Sequence, residues 1–448
     1  MTMMLSLKVR VELRTLGKRK RGNMRGSVFR GPVSGRIVAP ASKSFMQRAV
    51  ACAVLSKGET IIRNASLSDD SRTALRLATA LGADVDIQGK NLSIQSGSRS
   101  PEKILNSGES GLSFRMFTPV AARLPVEVTI EASGTLCRRP VGMMGRPLEQ
   151  LGVSFVSNDG LPPIHIKGPL HGGKVNVDGA LTSQFLSGLL ISLPTCCESS
   201  EITVSNLASR PYVEMTLSVL TSFGVHWEIK EGVQTVFRCE GGQPFHCPEF
   251  TVPGDWSGAS GMLVAGAVAG SVIVTGLPQD ALQGDQIILE VLKRVGAHVS
   301  ISGDSVTVSR NRLNSFQTDV THCPDLVPVL TSLAVQCGGE SRISGTERLK
   351  FKESDRAEVL KREFGKLGGE IEVLDNEMRI KGSRLRGGRV SASGDHRIAM
   401  ALAIAGLNAE DTVEIDGAEC VDKSYPGFFE DLIKIGARIE FEADGGRE

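Results

Sequence analysis

The residues with the most chemical potential in this chain are lysines and arginines set beside serines and acids in short polar clusters. One group reads Ser42-Lys43-Ser44, Gly108-Glu109-Ser110-Gly111, Thr182-Ser183-Gln184, Gly254-Asp255-Trp256-Ser257, Pro324-Asp325 and Asp395-His396-Arg397. A second reads Ser68-Asp69-Asp70, Arg138-Arg139-Pro140, Ser209-Arg210-Pro211, Gln283-Gly284-Asp285, Lys352-Glu353-Ser354-Asp355-Arg356 and Asp422-Lys423-Ser424. All are expected at turns from a strand into a helix. Ser, Thr, Asp and Asn are ordinary helix N-caps, which accounts for Ser68, Ser354 and many of the acids. Capping does not account for Lys43, Arg48, Arg139, Lys352, Arg356, Arg397 and Lys423. A helix N-terminus is already positive, so a cation there costs up to about 1 kcal/mol. A bound anion reverses the sign, because free N–H groups and a neighbouring Lys or Arg together hold phosphate or carboxylate. The clusters therefore suggest a ligand with several negative charges. Asp325 and Glu353, acids among these cations, are candidates for proton transfer. No Ser-His-Asp pattern, Walker loop or dinucleotide-binding fingerprint is present, and the serines read as anion ligands.

The elements that must position these clusters repeat. A helix end, a glycine and an alternating strand recur at Leu81-Gly82-Ala83, Leu151-Gly152-Val153, Phe223-Gly224-Val225, Val295-Gly296-Ala297, Leu367-Gly368-Gly369 and Ile435-Gly436-Ala437. The glycines are 70, 72, 72, 72 and 68 residues apart. That period is too long for most solenoids and suits a small α/β unit used six times. Each unit opens with an apolar helix, such as Ser44–Leu55 or Ser257–Ala269, followed by a β-branched strand, such as Thr60–Ile62 or Val272–Val274. A second, amphipathic helix follows; Ile287, Ile288, Val291, Leu292 and Val295 have helical spacing within Gln286–Val295. Its glycine suits a left-handed C-cap. A hairpin closes the unit: Val85–Gln88 and Leu92–Gln95 flank Gly89-Lys90-Asn91, and His298–Ser302 and Ser305–Val308 flank Gly303-Asp304. The second unit reads as the least regular, with Gly160-Leu161-Pro162-Pro163 where a tight turn belongs. The predicted fold is α/β, six β-α-β-α-β-β units.

At 448 residues a single core is not expected, and six units divide naturally into two lobes of three. Residues 41–252 are expected to form one lobe, and 24–40 with 253–448 the other, crossing near Thr251–Asp255. Residues 1–23 carry Lys8, Arg10, Arg14, Lys18, Arg19, Lys20 and Arg21 outside the repeat and lack the apolar core of a signal peptide. They read as a disordered basic extension, with Met24 an alternative start and a transit peptide a weaker reading. Lys plus Arg number 51 and Asp plus Glu 50, so no bulk charge directs the chain to nucleic acid or membrane. Nine scattered cysteines without a Cys-x-x-Cys fit a reducing, cytoplasmic setting. His246-Cys247 and His322-Cys323 are too sparse for a metal motif. The uncharged stretch Ala259–Leu277 contains four glycines and reads as a buried helix and strand, not a membrane span.

These motifs resemble those of the 5-enolpyruvylshikimate-3-phosphate synthase family from about Val33 to Leu432. Pro40-Ala41-Ser42-Lys43-Ser44 with Arg48 is similar to the family's Pro-Gly-Ser-Lys-Ser…Arg segment, with Ala41 for glycine and Gln47 for the usual asparagine. Gly108–Gly111 with Arg115, Arg139-Pro140, Thr182–Leu186, Ser209–Tyr212, Pro324-Asp325, Lys352–Arg356, Asp395–Arg397 and Lys423 match further segments. The resemblance implies the two-lobed enolpyruvyl transferase fold, three units per lobe, like an α/β barrel turned inside out. It implies shikimate 3-phosphate contacts at Lys43, Ser44, Arg48, Thr182, Ser183, Gln184, Ser209, Asp325 and Lys352. Phosphoenolpyruvate contacts are implied at Lys43, Gly111, Arg139, Gln184, Arg356, Arg397 and Lys423. Arg348 stands where some members have an asparagine, and no role is carried over to it. The implied chemistry is addition followed by elimination, with Asp325 taking the proton of the 5-hydroxyl. Glu353, alone or with Lys43 or Lys423, protonates C3 of phosphoenolpyruvate. No metal or organic cofactor is implied, nor any nucleic-acid or membrane partner; the family suggests a monomer that glyphosate can inhibit where Gly111 leaves room.

Two other readings fit the fold. The transferase acting on UDP-N-acetylglucosamine carries a reactive cysteine five residues before its Arg-Pro pair, where this chain has Gly134; Cys137 reads as an incidental thiol. A non-catalytic anion-binding relative is expected to have lost Asp325, Glu353 or Lys43, and all three are present.

Overall fold

The computed structural model describes residues 24–280 and 282–443, so the basic extension at 1–23 lies outside the described residues. Among the described residues there are six four-stranded sheets, each a parallel pair joined to an antiparallel pair, which is a hairpin in all but the sixth. In the third unit Lys174–Asp178 lies parallel to Ser200–Ser205. Thr235–Cys239 then pairs antiparallel with both Ser200–Ser205 and Glu228–Lys230. Helix Gln184–Ser192 joins the parallel strands and helix Arg210–Ser222 leads into the hairpin. This is the β-α-β-α-β-β unit expected from the repeat.

The six repeat glycines show why the sequence was legible. Gly82, Gly152, Gly224, Gly296, Gly368 and Gly436 all have φ between +79° and +103°. After each, the next N–H reaches back to a carbonyl five residues earlier, as from Ala83 to Ala78 and from Ala297 to Leu292. That is the Schellman helix stop, which needs a residue free of the Cβ penalty.

The second unit is more regular than its sequence suggests. Asp159 (φ 49°) and Gly160 (φ 77°) form a two-residue turn between Ser154–Asn158 and Leu161–Lys167. A turn with two positive φ values matches the twist of a hairpin, so Leu161-Pro162-Pro163 already belong to the strand. In the first unit Asn91 likewise opens its strand, leaving Gly89-Lys90 as the turn.

Three strands come from distant chain. Glu249–Thr251 completes the first unit's sheet, Val33–Val38 the fourth's and Met24–Val28 the sixth's. Buried apolar side chains form two separate cores, one from Phe45 to Val252 and one from Val28–Ala39 with Trp256–Ala437. The two lobes are joined where the chain crosses twice. There Ala41 bridges Gly254, Ser42 N–H donates to Pro253 O (2.9 Å), and Asp255 N–H donates to Pro40 O (2.8 Å).

The first helix of each unit lies innermost. Trp256–Ala269 and His396–Gly406 are buried along their whole length, as expected of helices apolar on every face. They pack on each other and on Val327–Ala334; in the other lobe Gly111–Ala121 packs on Lys43–Leu55 and on Gln184–Ser192. The uncharged stretch is helix Trp256–Ala269 and strand Gly270–Thr275. Among the described residues no helix is long and apolar enough to cross a membrane.

The helix stop makes a stability prediction. A Cβ at Gly82 would sit 2.5 Å from Arg99 O, whereas at Gly89 (φ +64°) it would meet nothing within 4 Å. Gly82→Ala is expected to cost more than the ~1–2 kcal/mol of a left-handed alanine, and Gly89→Ala about that amount. Urea unfolding should show the larger midpoint loss for Gly82→Ala; equal losses would show that the close approach does not matter.

Candidate active site

The first turns of Lys43–Leu55, Gly111–Ala121 and Gln184–Ser192 open onto a cleft whose opposite wall is Pro324-Asp325 and Arg348–Glu353. The two walls belong to different lobes. Six cationic side chains (Lys43, Arg48, Arg115, Arg139, Arg348, Lys352) and three carboxylates (Asp70, Asp325, Glu353) line it, a formal net charge of +3. Such a cleft concentrates anions. Ser44, Gly111, Thr182, Ser183, Gln184 and Ser209 also line it. A smaller compartment shares Lys43, Ser44 and Tyr212 with the cleft and is bounded by Asp255, Asp285 and Arg397. Arg356 and Lys423 line neither space.

The cations are placed in two ways, only one of which the sequence suggested. Lys43, Arg356 and Arg397 lie in the first turns of α-helices, and Arg48 lies one turn further on. Arg139 and Lys352 instead follow the 3-10 turns Gly134–Arg138 and Glu347–Phe351, and Lys423 ends Ala418–Lys423. In these units a tight turn stands between the strand and the second helix. The cation then sits at a carbonyl end, where the dipole favours it. Capping also differs at one expected position. Asp355, not Ser354, caps Arg356–Lys366, and Ser354 donates to Asp395 Oδ2 (3.2 Å). Ser68 does cap its helix, accepting from Ser71 N–H. Ser42 and Ser183 hold cap positions with no side-chain capping bond.

Most of the cations already have carboxylate partners. Lys43 Nζ is 2.7 Å from Asp70 Oδ2. Lys352 Nζ, Arg356 Nη1 and Arg397 Nη2 are 3.2, 2.7 and 3.4 Å from the Asp325 carboxylate. Arg356, 1% exposed, also holds Glu353 (2.6 Å) and Asp395 (2.8 Å). Arg139 donates through Nε to Phe351 O (3.1 Å) and lies 3.9 Å from Glu353. Lys423 is 3.8 Å from Glu109. Arg48 is fully buried and donates to Thr216 Oγ1, Ser187 Oγ and the carbonyls of Ser44 and Tyr212. Four of its five N–H groups are thus committed to the fold.

These contacts set the ionisation states. Burial alone raises the pKa of Asp325, but Lys352, Arg397, Arg356 and Lys43 outweigh it and hold the acid well below 3.8. Glu353 is likewise raised by burial and lowered further by Arg356, Arg139 and Lys423, ending well below 4.5. Both are ionised at neutral pH. Burial, then the charge of Lys43, pushes His396 well below 6.5, so its imidazole is neutral. Burial lowers Lys352 and Arg348. Among the described residues, buried donors without a hydrogen-bond acceptor remain around the site: Gln47 Nε2, Arg115 Nε, Arg397 Nε and Lys423 Nζ.

Several contributors were not singled out from the sequence. Asp70 reads in the sequence as one more acid of the Ser68-Asp69-Asp70 cluster, yet it holds Lys43. Arg348 lines the cleft and donates to Ser209 Oγ (3.0 Å) across the lobes. Tyr212 donates to Asp285 Oδ2 (3.0 Å), also across the lobes. Ser209 has φ 55°, an uncommon left-handed conformation for serine, and this backbone state has no signature in the sequence.

The family model described as EPSP synthase (3-phosphoshikimate 1-carboxyvinyltransferase) matches residues 29–432. The chain belongs to the EPSP synthase family. A 3-phosphoshikimate 1-carboxyvinyltransferase of Methanothrix thermoacetophila is 40% identical over 424 residues, covering 92% of this chain and 98% of the relative. One from Aeropyrum pernix is 38% identical over 416 residues, covering 92% and 96%. Among solved structures, EPSP synthase from Acinetobacter baumannii superposes with TM-score 0.77 at 22% identity, covering 94% of this chain and all of that one. The enolpyruvyl transferase NikO from Streptomyces tendae gives 0.77 at 18% identity, covering 94% and 99%. These superpositions establish the enolpyruvyl transferase fold of the EPSP synthase family for this chain.

Asp255 gives the site a pH signature. Burial raises its pKa from 3.8 to about 6 despite Arg397. The folded state therefore binds this proton more tightly than the unfolded chain, and stability falls as pH rises from about 4 through 6. Asp255→Asn keeps a capping side chain and removes the effect. Its stability relative to the parent should rise by at most about 3 kcal/mol at pH 8 and fade toward pH 4. Urea unfolding at pH 8, 6 and 4 checks this; a gain independent of pH would refute the raised carboxyl.

Proposed function

We propose that this protein transfers the enolpyruvyl group of phosphoenolpyruvate to the 5-hydroxyl of shikimate 3-phosphate and releases phosphate. The observation that carries the reading is Asp325: a carboxylate held ionised by four cations on the wall of a cleft of net positive charge, in a chain of this family.

Shikimate 3-phosphate is assigned to Lys43, Ser44, Arg48, Thr182, Ser183, Gln184, Ser209, Asp325 and Lys352. Phosphoenolpyruvate is assigned to Lys43, Gly111, Arg139, Gln184, Arg356, Arg397 and Lys423. The structure qualifies two of these roles. Arg48 has one N–H left for a ligand, and Arg356 acts chiefly by holding Asp325 and Glu353.

Asp325 accepts the proton of the 5-hydroxyl as its oxygen bonds to C2 of phosphoenolpyruvate, and C3 gains a proton. The adduct carries both substrates on one carbon. Loss of a C3 proton then re-forms the double bond as the C2–O bond to phosphate breaks. Glu353 is ionised before ligands bind, so it is not a ready acid. The phosphate and carboxylate of phosphoenolpyruvate, arriving beside Arg139 and Lys423, oppose the cations that depress it. Its pKa rises on binding, and the proton it then takes from solvent is the one delivered to C3, with Lys43 or Lys423 assisting. Preorganised cations stabilise the developing charge, and closure of the lobes excludes water. We also infer a cytoplasmic monomer; the nine free cysteines support the reducing setting, and light scattering checks the oligomeric state.

Phosphate release with shikimate 3-phosphate and phosphoenolpyruvate tests the reaction. Release only with UDP-N-acetylglucosamine would overturn it, and no turnover with either acceptor would favour a binding protein. Asp325→Ala and Lys352→Ala should each lower turnover by at least about a hundredfold, the scale for a general base and for electrostatic stabilisation. Near-native rates in both would refute those roles.

Gly111 gives a further outcome. A Cβ there would sit 2.8 Å from Arg139 Nη1, whose Nε is tied to Phe351 O. Gly111→Ala should raise the KM for phosphoenolpyruvate and weaken inhibition by glyphosate, with the KM for shikimate 3-phosphate little changed. Unaltered values for both compounds would remove Gly111 from the phosphoenolpyruvate site.

A further inference from the structure

Gln47 is the one uncharged side chain of the cleft that is wholly buried yet half satisfied. It lies on the face of Lys43–Leu55 that carries Ser44 and Arg48, and all three line the cleft. Its side chain is 0% exposed. Oε1 accepts from Ser113 Oγ at 2.8 Å and from Ser110 Oγ at 3.3 Å. Ser110 also caps Gly111–Ala121, accepting from Ser113 N–H. The carbonyl end of the amide is therefore fixed to the first turn of that helix.

The other end has no such anchor. Gln47 Nε2 carries two donors and has no acceptor among the described residues. The guanidinium groups at the start of the neighbouring helix supply none, since they only donate. A Cβ at Gly111 would touch Arg139 Nη1 at 2.8 Å and Arg115 Nη1 at 3.1 Å, so both guanidinium groups pack against this same helix start. Arg115 gives its Nη groups to Gln184 Oε1 and Pro140 O, and its Nε has no partner either. Buried donors crowd here without an acceptor, a condition a native fold leaves only where something else supplies one.

We propose that Gln47 is a substrate-binding residue that donates through Nε2 to an oxyanion of phosphoenolpyruvate lodged against Gly111. The proposal rests on the reaction assigned above and adds a neutral donor to the cations of that site. A neutral amide adds a directed hydrogen bond without repelling Arg115 and Arg139, where a third cation would be opposed by both. The two serine hydroxyls serve as its support, turning the amide so that nitrogen, not oxygen, meets the ligand.

Steady-state kinetics of the full chain with Gln47→Met and Gln47→Glu test this. Met keeps the length and loses the donor; Glu keeps the shape and presents a negative oxygen in its place. Losing one hydrogen bond to a charged group should raise the KM for phosphoenolpyruvate by about tenfold or more in Gln47→Met. Gln47→Glu should raise it further. The KM for shikimate 3-phosphate, and its Kd measured by calorimetry without phosphoenolpyruvate, should stay within about twofold, because those contacts lie elsewhere. Gln47→Asn, which keeps an amide set back by one methylene, should fall between parent and Met. Phosphoenolpyruvate KM values within about twofold of the parent in both Met and Glu variants overturn the proposal. So does a joint loss of both affinities with a lowered melting temperature, the mark of a merely structural glutamine. A parent that releases no phosphate from the two substrates overturns this proposal together with the reaction it rests on, whereas an active parent with unaffected variants overturns the Gln47 role alone.

Discussion

A single buried guanidinium organises this site. Arg356, 1% exposed, places its three nitrogens against Asp325, Glu353 and Asp395. Taking such charges from water is costly, and only close, well-directed contacts offset it. The pairing holds because each carboxylate has a second claim on its position. Asp395 caps His396–Gly406 by accepting from Arg397 N–H, which fixes the backbone of both His396 and Arg397. Asp325 stands in the 3-10 turn ahead of Val327–Ala334 and also meets Lys352. Glu353 precedes the helix that Arg356 itself begins. Loops of the fifth and sixth units are thus locked to one another through one side chain. The base and acid of the proposed reaction cannot move independently.

The same network corrects the simplest reading of the charge. A crowd of cations tolerable only with an anionic guest would leave the empty protein strained. Instead Lys43, Lys352, Arg356 and Arg397 lie against Asp70, Asp325, Glu353 and Asp395. Anion binding in the proposed reaction is then an exchange, in which phosphate and carboxylate oxygens compete with protein carboxylates for the same donors. Exchange couples binding to chemistry. Every cation drawn toward a ligand pulls less on Glu353, so the event that loads the site also moves Glu353 toward its protonated form. In the empty site Asp325 is held ionised by Lys352, Arg397 and Lys43 as well as by Arg356, so it enters the reaction as a base.

The sequence disclosed what local physics decides. Six glycines at helix stops have one backbone solution each, and the apolar innermost helices follow from composition, so repeat and fold were both readable. The polar clusters were readable as site residues because capping could not explain their cations. What stayed hidden depends on distant chain. Glu249–Thr251 and Met24–Val28 pair with strands far away, and nothing in three or five residues names a partner. The 3-10 turns that precede Arg139 and Lys352 and end at Lys423 differ from an α-helical start by one residue of hydrogen-bond register, which propensity does not resolve. Ser354 and Asp355 are both good caps, and the choice fell to Asp355 because Ser354 is drawn to Asp395. Asp70 looked like one more capping acid; its pairing with Lys43 exists only because two helices of one unit converge.

The division of the site between lobes has a chemical consequence. Residues assigned to the acceptor's hydroxyl-lined pocket, Ser44, Thr182, Ser183 and Ser209, sit on one lobe. Asp325, assigned to take its proton, sits on the other with Lys352. Arg139 reaches across to Phe351 O, Arg348 to Ser209 and Tyr212 to Asp285, while the chain itself crosses only at 39–42 and 252–255. Covalent connection therefore does little to set the distance between base and acceptor; these polar contacts and the ligand must do so. Each is a hydrogen bond with one charged partner, of a kind worth about 1.5–3 kcal/mol net, far weaker than the core of either lobe. A substrate bearing charge at both ends replaces such contacts with ones in which donor and acceptor are both charged, and in doing so brings the base to the hydroxyl. On this view the reaction is assembled by its own substrate, and the separation of the two cores is what permits it.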